Sequence, residues 1–296
     1  MSADHDKYAK ANVDFFAKVA SDYDDGTFAG GHAAGDWVRK MTRANYEAIL
    51  GAFAWDEHST ELLDFACGTG LTTSLLAPQC KHVVGVDLSQ PMLDQFQAKL
   101  NKQDSDPSAS PLSSLASKIE LVQADLLGSG EGKEKLEGRK FDVVLCTMSF
   151  HHLSDPMHAT KVLSGYLKPG GKLAIVDFLQ LKPSEGDYGH DDSHGHDAQH
   201  HHPHLHHGHH HGSAHQHGHQ HHAPQSGHDL SDPTEANFGA HKVANVIAHS
   251  SFRLADFDRF FAAAGLSRSG EPKFTRTMEW PDRPPVDVYL VIGELA

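Results

Sequence analysis

Basic residues are the minority in this chain: 25 lysines and arginines stand against 39 aspartates and glutamates, a formal charge of −14 with histidine neutral. No basic run or patch is visible, which argues against nucleic acid as a partner. Cysteine is scarce as well. Cys67, Cys80 and Cys146 are the whole set and show no paired spacing. That predicts reduced thiols inside a cell, in the cytoplasm by default with the nucleus also open. No apolar run approaches the ~18 residues that a membrane-crossing helix needs, so no span is expected. The opening MSADHDKYAKANVDFF is polar and acidic, unlike a signal or transit peptide. Hydrophobic residues make up only 39% because one histidine-rich segment dilutes them. Outside that segment there is ample apolar material for an α/β core.

What is there centres on Glu61–Gly70, ELLDFACGTG. It reads as a short buried strand that stops in Cys67-Gly68-Thr69-Gly70 and reopens as a helix of about two turns. Such a loop exposes unpaired N–H groups at the positive end of a helix dipole, and its glycines let a ligand approach the backbone. His82–Asp87 (HVVGVD) is a β-branched run of the buried parallel type, ending in an acid 17 positions beyond Gly70. An acid there suits ribose hydroxyls; its plainer reading is an N-cap, a role that Ser89 before Gln90-Pro91 fills better. Ile119–Val122, Phe141–Thr147 and Lys172–Leu179 predict the third, fourth and fifth strands, with Lys161–Leu167 on a helix after Asp155-Pro156 and a stop and turn at Lys168–Gly171. Residues 101–117 read as a surface loop, and GSGEGKEKLEG as little more than one helical turn. This alternation is the sequence form of a doubly wound parallel sheet.

Asp64–Gly70 (DFACGTG), then HVVGVDLSQPML, IELVQADLL, FDVVLCTMSFHHL and LKPGGKLAIVDF follow one another in order. Together they resemble the motifs of class I S-adenosylmethionine (SAM) dependent methyltransferases, of the small-molecule type similar to those of ubiquinone and menaquinone biosynthesis. The resemblance covers roughly residues 10–180 and resumes near 240–296. It implies an α/β, Rossmann-like fold with a seven-stranded, mostly parallel sheet, an antiparallel last strand and N-terminal lid helices. It also implies SAM as cofactor and a small-molecule methyl acceptor. By resemblance Gly68, Thr69 and Gly70 hold the methionine end of SAM, helped by Tyr23, and Asp64 orients the loop and the methionine amino group. Asp87 holds the ribose and Asp125 the adenine, with Ala66, Leu88, Leu126 and Thr147 completing the cofactor site.

Four segments follow: lid helices over 1–55, a SAM-binding core over 56–182, an insertion over 183–235, and the rest of the same domain over 236–296. Residues 5–20 and 34–53 have helical apolar spacing and serve either as plain packing or as a cofactor lid. Met148–Leu153, after the fourth strand, faces the transferred methyl by resemblance. It lacks the Asn/Asp-Pro-Pro-Tyr pattern, which disfavours DNA N-methylation. His151 and His152 are catalytic candidates or simply fix this loop. His249 is a third catalytic candidate, and His241 and His249 are both candidates for the substrate pocket or ordinary hydrogen-bonded histidines. Asp256–Ala264 predicts an amphipathic helix closed by Gly265, and 274–278 with 286–292 two closing strands.

Eighteen of the 27 histidines lie between His190 and His228. This composition cannot bury a core and reads as a disordered, solvated insertion. Imidazoles such as His200, His201, His202, His209, His210 and His211 could take divalent metal ions nonspecifically, without the spacing of a defined site. That leaves a second reading, a metal-binding or regulatory protein on a SAM-binding scaffold. A nicotinamide oxidoreductase fits poorly, because Leu71-Thr72-Thr73 after Gly70 omits the third glycine of its fingerprint.

Overall fold

The strands are apolar on both faces, and each face has its own cover. In β1 (Glu61–Phe65), Leu63 and Phe65 point to one side and Leu62 to the other. β2 (His82–Asp87), β3 (Ile119–Gln123) and β4 (Phe141–Thr147) behave alike. β5 (Leu167–Gln180) completes the central parallel set. The Leu63 side packs on helices that follow β4 in the chain, through Leu163, Phe257 and Phe261. The Leu62 side packs on Ile49, Leu76 and Phe96 from helices nearer its start. Strands buried on both faces are expected where crossovers place helices on each side.

The computed structural model describes residues 3–26, 35–101, 112–128, 132–181, 235–238, 241–244, 246–280 and 283–296. Before β1 come α1 (Ala3–Val19) and α2 (Gly35–Leu50). Between the strands run α3 (Leu71–Leu76), α4 (Gln90–Asn101), the short α5 (Leu112–Leu115) and α6 (Pro156–Ser164). α6 starts where Asp155 caps it by accepting from the His158 N–H, with Pro156 in the first turn. Later come β6 (Glu235–Phe238), β7 (His241–Ala244), β8 (Phe252–Arg253), α7 (Leu254–Ala263), β9 (Leu266–Arg268), β10 (Lys273–Trp280) and β11 (Arg283–Leu295). Gly265, with φ 73°, ends α7 in the left-handed conformation.

The main sheet runs β10-β11-β5-β4-β1-β2-β3, with β8 beside β5 and β9 beside β11. Strands β1 to β5 pair in parallel, whereas β11 is antiparallel to both β5 and β10. The seven expected strands are present, and the short β8 and β9 extend them. Strand order reverses between β1 and β4, and the carboxyl ends there frame the crevice in which open α/β sheets bind ligands. Met1–Leu181 and Asp232–Ala296 group as one compact unit.

Three local expectations need correction. Lys168–Gly171 lies within β5 rather than in a turn before it; the pairing with β4 shifts register between Phe141 and Val143, which absorbs Pro169 and Gly170. Residues 112–118 are helical rather than loop, because Leu115 and Ala116 find apolar cover. The helix expected over 161–167 spans Pro156–Ser164 instead, because Asp155 caps it and Leu167 already belongs to β5; the β6–β7 hairpin has no counterpart among the expectations.

Candidate active site

At the end of β1 the backbone turns left-handed three times, at Ala66 (φ 58°), Gly68 (φ 55°) and Gly70 (φ 78°). For alanine this conformation costs about 1–2 kcal/mol, which the surrounding bonds must hold. The Cys67 N–H donates to Val86, the Gly70 N–H to Cys67, and the Gly68 N–H to the Asp87 carboxylate at 2.8 Å. Gly70 is required twice over, since a Cβ there would lie 2.3 Å from the Phe96 ring. α3, which follows, has only six residues, so the loop's own turns rather than a long helix dipole shape the site.

Three carboxylates stand around this loop. Asp64, 2% exposed, accepts the Thr73 hydroxyl, and burial pushes its pKa up to about 7. Asp87 accepts the Gly68 and Ser89 N–H groups, one on each oxygen, and burial raises its pKa. Each oxygen keeps a lone pair for a further donor. Asp125 receives the Leu127 and Gly128 N–H groups on one oxygen, while the other lies 3.3 Å from His5 Nε2 on α1. Ser89 does not cap α4 through its side chain. Its hydroxyl is buried beside the cleft without a partner, and so is the Asn12 carbonyl oxygen.

The cleft holds about 890 Å³, part of it open to solvent, and Ala66, Leu88 and Leu126 line it. α1 supplies much of its wall through Tyr8, Asn12, Val13 and Phe16. The first helix is therefore a cover over the cleft, whereas α2 also packs into the core through Ile49. Tyr23 lines the cleft too, its phenol pushed up to about 12 by burial and then by Asp24 and Asp87. Beside it Asp24 accepts the Thr69 hydroxyl and, at 2.6 Å, the Lys99 ammonium. Sequence reasoning named Tyr23 and passed over its neighbour Asp24, although the adjacent pair was the available signal. His5 carried no signal, since its use depends on where α1 docks.

After β4, Met148 is left-handed at φ 52°, and the three candidate histidines part company. His152 lines the cleft. Its Nδ1 lies 2.6 Å from the Val246 carbonyl, which can only accept, so the proton sits on Nδ1 and Nε2 keeps a lone pair. Burial, then His151, holds this imidazole's pKa well below its ordinary value. His151 is 5% exposed and does not line the cleft; its Nδ1 is 2.8 Å from buried Asp177, and its backbone N–H meets the same carboxylate. Its carbonyl in turn accepts the Ala248 and His249 N–H groups. His249 also lies outside the cleft lining, with its Nε2 buried and unpartnered. The His241 side chain and His200, His201, His202, His209, His210 and His211 fall outside the described residues. Among the described residues no group of three or more histidines, cysteines, aspartates and glutamates is placed to hold a metal ion.

The donor set suits SAM. Carboxylates at the ends of three strands match an ammonium, a ribose diol and an adenine amino group, and a sulfonium favours acids and aromatic faces. Thr147 adds a buried hydroxyl without a partner at the same edge. Such orphaned atoms are what a polar ligand would satisfy.

The family described as "Methyltransferase domain" matches residues 63–175. An uncharacterized methyltransferase of Schizosaccharomyces pombe is 36% identical over 140 residues, 47% of this chain and 45% of that protein. A ubiquinone biosynthesis O-methyltransferase of Coxiella burnetii is 29% identical over 119 residues, 38% of this chain and 41% of the other. The chain thus spans about half or less of the length of these relatives. Among solved structures, the DhpI–SAH complex shares the fold with a TM-score of 0.53 at 14% identity, over 97% of each chain. Residues 63–175 thus match a methyltransferase domain, the one part of the chain for which the family is matched.

Proposed function

We propose that the protein catalyses SAM-dependent methyl transfer, by in-line displacement, to an O, N, S or C nucleophile of a small metabolite. One observation carries this reading. Asp87 and Asp125, from the ends of β2 and β3, line one cleft with Gly68 of the glycine loop, and Asp64 of β1 lines the adjoining hollow that shares Gly68 with it. SAM, when bound, supplies an already activated methyl group. The chain's part is to align the acceptor, keep water out and take a proton where the nucleophile carries one. Asp87 would hold the ribose, Asp125 the adenine, and Asp64 with the 68–70 loop the methionine end. Tyr23, protonated at neutral pH, would offer its hydroxyl to that end. His152 is the base candidate, because its Nε2 keeps a lone pair beside the cleft. His151 and His249 instead fix the segment that positions it.

The acceptor's wall is mostly apolar, through Val13, Phe16 and Leu153. It suits an apolar or aromatic metabolite, and the likeness to a ubiquinone biosynthesis O-methyltransferase favours a hydroxyl among the nucleophiles. The reading treats 1–55, 56–182 and 236–296 as one domain and 183–235 as an insertion in it. It places the chain in the cytoplasm or nucleus, in keeping with free Cys67, Cys80 and Cys146. Among the described residues no helix is long and apolar enough to cross a membrane. Divalent metal binding by 190–228 rests on composition alone. A screen of phenols, thiols and amines with methyl-labelled SAM tests the function, using the full chain and a deletion of 190–228. Transfer retained in the deletion is expected. SAM binding should be retained as well; a protein whose main activity is metal handling would lose that activity with the tract.

A further inference from the structure

Asn45 sits on α2, and among the described residues it is the buried side chain least explained by the fold. It is 1% exposed, and neither its Oδ1 nor its Nδ2 has a hydrogen-bond partner. Exchanging the two amide atoms leaves the same deficit, so their assignment does not matter. One turn earlier, Thr42 shows how the helix satisfies a polar group internally, by donating to the Val38 carbonyl at 2.8 Å. Asn45 does nothing of the kind. It lines a second hollow, together with Asp64, Thr69 and Thr147. That hollow shares Tyr23, Ala66, Gly68, Met148 and Ser149 with the main cleft. Across it the Thr147 hydroxyl is likewise buried and unpartnered.

Resting on the SAM reading above, the geometry points to Asn45 as a binding residue for the α-amino-acid end of the cofactor. The chemistry of the hollow selects that group. An amide offers a donor and an acceptor at one point, and a zwitterion demands both within a few ångströms. Asn45 Nδ2 and the Thr147 hydroxyl can donate to the carboxylate, while Asn45 Oδ1 and Asp64 can receive the ammonium. A hydroxyl or an ammonium alone would leave one side of the amide unsatisfied. Because Asn45 is carried by α2, the contact would couple cofactor binding to the seating of that helix on the sheet.

The test compares S-adenosylhomocysteine with methylthioadenosine, which keeps the adenosine and sulfur but lacks the amino-acid end. Binding of each to the full chain and to Asn45→Leu is measured by calorimetry, with thermal melting alongside. The variant should bind S-adenosylhomocysteine about tenfold or more weakly, the size expected for hydrogen bonds to charged groups. Its affinity for methylthioadenosine should stay within about twofold. The free protein should melt no earlier, since an apolar side chain removes two unpaired buried atoms. Equal loss for both ligands, or no loss for either, would overturn the assignment. So would a lower melting point without selective loss, the mark of a purely structural amide that holds water. If Asn45→Leu does not fold, Asn45→Asp gives the same selective comparison, because its carboxylate repels that of the ligand. Wild-type protein that binds neither ligand would instead overturn the SAM reading itself.

Discussion

Asp24 and Thr69 are 45 positions apart, yet the Thr69 hydroxyl donates to the Asp24 carboxylate. The same carboxylate receives Lys99 from α4 at 2.6 Å. One acid thus ties the segment after α1 to the glycine loop and to the helix behind it. Asp24→Ala should lower stability by about 1–2 kcal/mol, a modest figure because the ion pair is partly exposed to solvent. It should also weaken SAM binding several-fold, as the loop and Tyr23 lose their common anchor. Denaturant melts and calorimetry check the two effects separately.

Gly70→Ala should be far more damaging than its one added carbon suggests. The new Cβ would lie 2.3 Å from Phe96, at a φ of 78°. Overpacking and left-handed strain together predict a loss of about 3 kcal/mol, measurable as a lower urea midpoint. Gly138, with φ 73° but nothing within 4 Å of an added Cβ, is the control. Its alanine variant should lose only the strain, about 1 kcal/mol.

Asp64 gives the protein a defined pH dependence. Its pKa in the folded protein, about 7, lies above the ordinary value of 3.8. The folded state therefore holds a proton that the unfolded chain releases between those values. The resulting stabilisation is complete below pH 3.8 and is lost as pH rises to about 7. It amounts to roughly 4 kcal/mol. Asp64→Asn should flatten this decline, seen as melting points that converge between acidic and neutral pH. SAM carries an ammonium that prefers the ionised acid, so wild-type affinity should rise with pH through the same range, and the variant's should not.

The two adjacent histidines should fail in different ways. His152→Gln should lower kcat about a hundredfold for an acceptor that must lose a proton, with the KM for SAM little changed. Since burial holds its pKa well below 6.5, the wild-type rate should show no acidic limb near that value. His151→Ala should instead cost about 3 kcal/mol of stability, by leaving the buried Asp177 carboxylate with only the backbone N–H groups of residues 151 and 178. Rate–pH profiles and melting curves separate the outcomes.

Much of the fold was legible because its strands are buried on both faces and end in marked residues. HVVGVD and FDVVLCT coincide with β2 and β4 to the residue. Gly265 announced the end of α7, whereas α6 was expected over 161–167 and begins five residues earlier, directly at Pro156 behind its Asp155 cap. What escaped lacked local pattern. β8 has two residues and β9 three, and each exists only through the strand beside it. Within the site, the carboxylates could be read from their positions after apolar runs. The division of labour between His151 and His152 could not. It depends on Asp177 and on the carbonyl of Val246, 94 positions away, and a backbone carbonyl leaves no mark in a sequence. Asn45 was hidden for a related reason: on a helical wheel it is one more polar residue, and only its burial without partners sets it apart.

The most direct measurement is calorimetric titration of the folded protein with SAM and with its demethylated product, repeated on Asp87→Ala. Asp87 already holds the Gly68 and Ser89 N–H groups, so its loss should disturb both the loop and the ribose contact. The account predicts micromolar binding of both ligands by the wild type and its disappearance in the variant. A folded wild type that takes up neither ligand would contradict it, and so would a variant that binds them unchanged.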